Sequence, residues 1–206
     1  MFISLEGPEG AGKSTQLPQL GAWLEQQGHE VFTTRNPGGT PIGAQIRQVV
    51  LDASNRAMVP TTELMLYAAD RAQHVAEVVR PALAAGTIVL CDRFTDSTMA
   101  YQGYGRGLDK DLIRQLNAMA TGGLRPDLTL LLDLPVEEGL ARAAKARAAD
   151  RLENEQIAFH HRLRAGYLAL AAEDPDRFVV IDARQAPDDV QGQLREAVSR
   201  LLGKRS

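Results

Sequence analysis

Five short apolar runs punctuate the chain, at residues 2–6, 30–34, 87–91, 128–133 and 178–182. Each is rich in Ile, Val, Leu and Phe and is closed by Gly, Pro or a charge, so each predicts a strand. Runs that are apolar on both faces and alternate with helical patterns predict a parallel sheet covered by helices on both sides. The first helix is expected over residues 14–27, where Leu17, Leu20 and Leu24 form one stripe and Gly28 follows as terminator. Pro18 removes a helical hydrogen bond near the first turn and predicts a local kink. Residues 63–85 read as a long helix bent at Pro81, and 110–121 as another that stops at Gly122-Gly123. Residues 136–172 read as one Ala- and Arg-rich helical region. Its middle, residues 143–150, has almost no apolar stripe beyond alanine, so it is expected to bury little and to be able to move.

No repeat, linker or low-complexity tail interrupts this order, and 206 residues fit a single domain, 1–206, long enough for a sizeable core. The net charge of −3 provides no basic field, which argues against a duplex nucleic-acid partner. The lone Cys91 makes neither an internal disulfide nor a cysteine metal site, so a reducing cytoplasm is expected. No apolar run has the length of a membrane span, and the N-terminus has no basic segment of a signal peptide. Four of the 23 basic residues are lysines, and one of the four falls in the strongest motif.

That motif is Gly7-Pro8-Glu9-Gly10-Ala11-Gly12-Lys13-Ser14, followed by Thr15; it fits G-x-x-x-x-G-K-[ST] between a predicted strand and a predicted helix. Its glycines let successive backbone N–H groups face phosphate oxygens, and the helix start adds partial positive charge. Lys13 supplies a compact cation for the β- and γ-phosphates of a nucleoside triphosphate, and the Ser14 hydroxyl a ligand for Mg²⁺. The motif alone does not name the phosphate acceptor. The absence of N-K-x-D speaks against a GTPase. At the end of the third strand stand Asp92 and Arg93, where a doubly wound sheet places its ligands. Asp92 is suited to hold Mg²⁺ through water opposite Ser14, and Arg93 to grip phosphate oxygens with its planar fork. The alternative reading of this dipeptide is a surface ion pair.

Four further segments accompany the loop in order: Thr34-Arg35-Asn36-Pro37-Gly38-Gly39-Thr40, Ala69-Asp70-Arg71-Ala72-Gln73-His74, the run from Asp92 to Gln102, and Asp150-Arg151-Leu152-Glu153. With Glu6 to Gln16, the set resembles the signatures of bacterial thymidylate kinases over nearly the whole chain. The resemblance implies an α/β P-loop NTPase three-layer fold, with a five-stranded parallel sheet and a small helical lid at about 142–153. It implies transfer of the ATP γ-phosphate to dTMP with Mg²⁺, and a homodimer. Arg35 and Arg93 resemble the arginines on the dTMP phosphate, and Glu9 the acid near the sugar 3′-hydroxyl. Tyr67 stands where the family stacks an aromatic on thymine, and Arg71 where an arginine bonds a thymine carbonyl. Thr98 and Gln102 resemble polar contacts to the base, Tyr101 the tyrosine that crowds the 2′ position, and Arg47 an arginine bordering the base. The family usually has Glu where this chain has Asn36, whose expected role is to fix Arg35 or a metal-bound water.

The loop residues Pro8 to Ala11 carry no arginine, whereas the lid segment carries Arg142, Lys145, Arg147 and Arg151. The chain thus resembles the thymidylate kinases whose catalytic arginine lies in the lid, with Arg147 and Arg151 expected to join Lys13 and Arg93. Arg142 and Arg184 are expected to border adenine. A phosphate with a second pKa near 6 needs no general base, so His74, His160 and His161 are expected to be structural or exposed. Two alternatives remain at this point: a kinase for another nucleotide or nucleoside, and a nucleotide-binding regulator without turnover.

Overall fold

The computed structural model describes residues 1–146 and 150–203. Strands β1 (Phe2–Glu6), β2 (Val31–Arg35), β3 (Ile88–Asp92), β4 (Leu128–Asp133) and β5 (Phe178–Asp182) form one sheet in the order β2-β3-β1-β4-β5. Every pairing is parallel. The sheet interior is nearly all apolar, because both faces are covered: Ile3, Leu5, Leu90, Leu130 and Leu132 meet α1 (Lys13–Gln26) and α9 (Pro187–Gly203) on one side. Phe2, Val89, Cys91 and Leu131 face the other side. β2 and β3 begin one residue later than the pattern suggests. Their register pairs Arg35 with Asp92, so the two polar residues that end the runs belong to the strands. The carboxyl ends of the sheet therefore carry Glu6, Arg35, Asp92, Asp133 and Asp182, the edge where an open α/β sheet receives ligands.

Local chemistry explains where the helical reading needs correction. α1 runs unbroken through Pro18. Helix α2 (Pro41–Leu51), which the pattern did not separate, is set by Thr40, whose side chain accepts from Gly43 N–H at 2.9 Å, with Pro41 in the first turn. The long helix starts earlier than expected, as α3 (Pro60–His74). It passes through a π-helical stretch at Val75–Val79 into α4 (Arg80–Ala84), so the wide turn accommodating Pro81 lies before the proline. A short α5 (Thr95–Thr98) likewise opens into a π-helical stretch, Met99–Gly105. α6 (Lys110–Thr121) falls where its pattern put it, capped by Asp109 at one end and by left-handed Gly122 at the other.

The single helical region expected over 136–172 is two helices, α7 (Val136–Ala146) and α8 (Ile157–Glu173). Asp150 is one cause: its side chain accepts from the N–H groups of Leu152 and Glu153, a local turn that competes with helix. α8 then buries Phe159, Leu163, Tyr167 and Leu170 against the Met99–Gly105 stretch and β4. Among the described residues, no helix is long and apolar enough to cross a membrane.

Candidate active site

The turn from β1 to α1 needs its glycines for two separate reasons. Gly7, Gly10 and Gly12 have positive φ, where only glycine is unstrained. A Cβ on Gly7 would also lie 2.3 Å from the Leu132 carbonyl oxygen, and one on Gly10 2.1 Å from that of Gly139 on α7. The loop is thus pressed between β4 and α7. Lys13 is buried and donates to the carbonyls of Gly7 and Pro8 at 2.9 Å each. Burial first, then the neighbouring Arg93 cation, lowers its pKa to about 8. Incoming phosphate charge reverses that balance, so nucleotide binding at pH 8.5 should take up a substantial fraction of one proton. Titration calorimetry with ATP in two buffers of different ionisation enthalpy measures this, and Lys13→Met should abolish the uptake.

Arg93 joins the loop to the rest of the site. Its backbone lies in the left-handed region at φ 69°, a conformation costly for a residue with a Cβ. Its side chain donates to Gly7 O and Tyr167 Oη, both at 3.0 Å, to Ser97 Oγ at 3.3 Å, and to Glu9 Oε1 at 2.8 Å. Beneath it lies Glu6, fully buried, whose carboxylate takes Phe94 N–H, Ser97 Oγ–H and Tyr167 Oη–H. Burial and the nearby Asp96 push the Glu6 carboxyl upward in pKa. The Asp92–Arg93 dipeptide is therefore no surface pair: Arg93 pairs with Glu9, and the buried Asp92 Oδ1 has no partner among the described residues. That orphaned acceptor close to Lys13, together with the exposed Ser14 hydroxyl, fits a hard cation. Among the described residues no group of three or more His, Cys, Asp or Glu side chains can cage a metal. For a cation held there, phosphate oxygens and water would complete the ligand set.

Beside Arg93 opens a cavity lined by Glu9, Arg47, Tyr67, Arg71, Thr98, Tyr101 and Gln102. Tyr67 and Arg71, one helical turn apart on α3, share it as their spacing suggested. Tyr101 donates to Glu9 Oε1, and its ring lies 5.0 Å below the Arg93 guanidinium. Arg71 is 1% exposed, and all five of its N–H groups are used. They reach Asn36 Oδ1 (3.1 and 2.8 Å), Thr98 Oγ1 (2.6 Å), Asn117 Oδ1 (2.7 Å) and the Phe94 carbonyl (3.0 Å). The side-chain partners of Asn36 are Arg71 and Asp70. Its carbonyl accepts from Arg71 and its amide donates to Asp70, so it bridges a buried cation and a buried carboxylate. A Glu here could not donate to Asp70. No motif or spacing marked Asn117, which comes from α6 and is found only through the fold.

Arg35 is exposed and lines a neighbouring groove with Asp92 and Gly38 rather than this cavity. Arg47 donates to the Pro37 carbonyl at 3.0 Å. Arg142 donates to the Ala183 carbonyl at 2.9 Å, and Arg184 pairs with Asp182 at 2.7 Å, so both border the turn after β5. Arg147 lies outside the described residues. Arg151, expected among the lid cations, is instead buried, with Glu63 Oε2 at 2.6 Å and the Val50 carbonyl at 2.8 Å. Its place follows from the turn at Asp150, which leads the chain into α8.

His74 and His160 are buried, as expected of structural histidines, and His161 is exposed. His74 shares a hydrogen bond of 2.8 Å with Thr34, and burial, then Arg71, lowers its pKa to about 4. The unfolded chain, at the ordinary value of 6.5, therefore binds the proton first, and stability present above pH 6.5 is lost as pH falls towards 4. The loss is about 3 kcal/mol. Urea denaturation at pH 7 and 4.5 should show this limb, and His74→Gln should flatten it.

A phosphate-binding loop with a buried lysine, joined through an arginine to an aromatic-lined cavity, is the arrangement of a P-loop phosphotransferase. The thymidylate kinase family model matches residues 5–194. The chain is 53% identical to thymidylate kinase of Desulfovibrio desulfuricans, over 100% of this chain and 98% of that protein. It is 57% identical to that of Trichlorobacter lovleyi (98% of each chain) and 58% to that of Geobacter sulfurreducens (98% and 97%). The chain belongs to the thymidylate kinase family and is a dTMP-phosphorylating enzyme.

Proposed function

We propose that the cavity between α3 and the Met99–Gly105 stretch receives dTMP, that the β1–α1 loop receives MgATP, and that Arg93 holds the transferred group between them. The observation that carries this is the position of Arg93, which donates to Gly7 O and Glu9 of the loop and itself lines the cavity. Gly7 to Thr15 cradle the ATP phosphates, with Lys13 on the β- and γ-oxygens; Ser14 and Asp92 hold Mg²⁺, which supplies charge neutralisation there. Tyr67 stacks on thymine, Thr98 and Gln102 read its edge, and Arg71 acts on the base through Thr98. Tyr101 and Glu9 set the sugar, while Arg35 and Arg47 approach the dTMP phosphate and base from the neighbouring groove. Arg142 and Arg184 border adenine. ATP brings close to four negative charges and dTMP about two, so Lys13, Arg93 and the lid cation Arg147 together offset the repulsion. Arg151 acts by fixing the root of the lid to α2 and α3.

The exposed apolar residues Ile42, Val49, Met65, Leu112 and Met119 lie on α2, α3 and α6, where α3 packs against both neighbours. They support a homodimer through this side. The lone buried Cys91 supports a reducing cytoplasm. A coupled ADP assay with dTMP, dUMP, UMP, CMP and thymidine tests the reading. dTMP is expected to turn over best; best turnover with thymidine contradicts a monophosphate acceptor.

A further inference from the structure

We infer that Glu63 is a positioning residue for base selectivity: it fixes which end of the Gln102 amide faces the base cavity. The inference rests on the reading that the base occupies this cavity. Glu63 is 1% exposed on α3, one turn before Tyr67. Its carboxylate collects three side chains: Gln102 Nε2 at 2.8 Å, Arg106 Nη2 at 3.0 Å and Nε at 3.2 Å, and Arg151 Nη2 at 2.6 Å. Arg106 is itself held by Glu155 at 2.6 Å and lies 4.9 Å from the Phe159 ring centre, while Arg151 is held by the Val50 carbonyl. Between two fixed guanidinium groups Glu63 is ionised, and a carboxylate only accepts. The Gln102 amide nitrogen must therefore point at Glu63. Its carbonyl oxygen, which has no hydrogen-bond partner among the described residues, is left for the cavity that Gln102 lines.

An oxygen at that place is complementary to a pyrimidine whose N3 carries a hydrogen. Thymine and uracil both present that donor; cytosine presents a lone pair there, so two acceptors would face each other unpaired. A site built to pair a polar group rejects the analogue that leaves it unpaired. Glu63 thus separates thymine from cytosine without touching the base, and it leaves thymine and uracil undistinguished.

Glu63→Gln reverses the arrangement at constant shape. Arg106 and Arg151 compete for the one carbonyl oxygen of the new amide, whose nitrogen then faces Gln102 and turns the Gln102 nitrogen into the cavity. The experiment measures kcat/KM of the full chain for dTMP, dUMP and dCMP in parent and variant. The dTMP:dCMP ratio is expected to fall about tenfold or more, which corresponds to about 1.4 kcal/mol. The dTMP:dUMP ratio is expected to stay within about twofold, because both bases keep the N3 hydrogen. An unchanged dTMP:dCMP ratio, or an equal fall for all three nucleotides, overturns the inference.

Gln102→Leu separates the two layers of the argument. If it leaves the dTMP:dCMP ratio unchanged, the base is not read in this cavity and both readings fall. If it shifts the ratio while Glu63→Gln does not, the role of Glu63 alone falls. Should Glu63→Gln not fold, Glu63→Met with Arg151→Met removes both buried partners together, the less destabilising change. Gln102 then has no fixed acceptor, and the same fall in the dTMP:dCMP ratio is expected; an unchanged ratio overturns the inference.

Discussion

Arg93→Ala is expected to lower kcat for dTMP phosphorylation by about 10³-fold or more, the scale of an arginine that stabilises transferring phosphoryl charge. The argument is geometric. Arg93 touches the phosphate-binding loop and lines the neighbouring cavity, and its fork is held from beneath by Tyr167 and Ser97, whose hydroxyls donate hydrogen bonds to Glu6. Removing it takes away a fixed cation that lies at the junction of the loop and the cavity. The backbone adds a second readout. At φ 69° an alanine retains the strain of a left-handed residue, whereas glycine does not. Arg93→Gly should therefore be as inactive as Arg93→Ala yet about 1 kcal/mol more stable in urea denaturation. Steady-state kinetics showing less than a tenfold loss of kcat in both variants would remove Arg93 from the transfer step.

The largest stability effect is expected at Arg71. Arg71→Leu should destabilise the fold by about 3–5 kcal/mol, the cost of breaking a buried charged network from one side. The guanidinium is the common donor for Asn36, Thr98, Asn117 and the Phe94 carbonyl, acceptors drawn from three segments of the chain. With leucine there, the Asn36, Asn117 and Phe94 oxygens lose their charged donor in a dry interior, and Asn36 no longer links Asp70 to a cation. Chemical denaturation followed by circular dichroism measures the change, and a loss below about 1 kcal/mol would show that water or neighbouring donors fill the gap.

The sheet was readable because each strand is buried on both faces and so appears as an unbroken apolar run; β1, β4 and β5 begin and end where those runs do. The phosphate loop was readable because backbone geometry demands glycine at set spacings and phosphate demands Lys13. Much less visible were interruptions caused by single side chains acting on the backbone. Thr40 starts α2, and Asp150 turns the chain ahead of α8; neither alters the apolar pattern. Arg151 shows the same limit at the site. Its sequence context marks a lid cation, but its partner Glu63 lies 88 positions away, and only the packed structure brings the two to 2.6 Å. Arg71 was legible as a partner of Tyr67 through helical spacing, whereas the full use of its donors depends on Asn36 and Asn117, which no local pattern connects to it.

The central claim is that a pyrimidine monophosphate and a nucleoside triphosphate meet across Arg93. A crystal structure of the enzyme with dTMP and a non-hydrolysable ATP analogue tests it most directly. The account predicts thymine against Tyr67, with N3 at the Gln102 carbonyl oxygen, the dTMP phosphate at Arg93, and the triphosphate end at Lys13. Thymine bound outside the Tyr67–Gln102 cavity, or a dTMP phosphate turned away from Arg93, would contradict it.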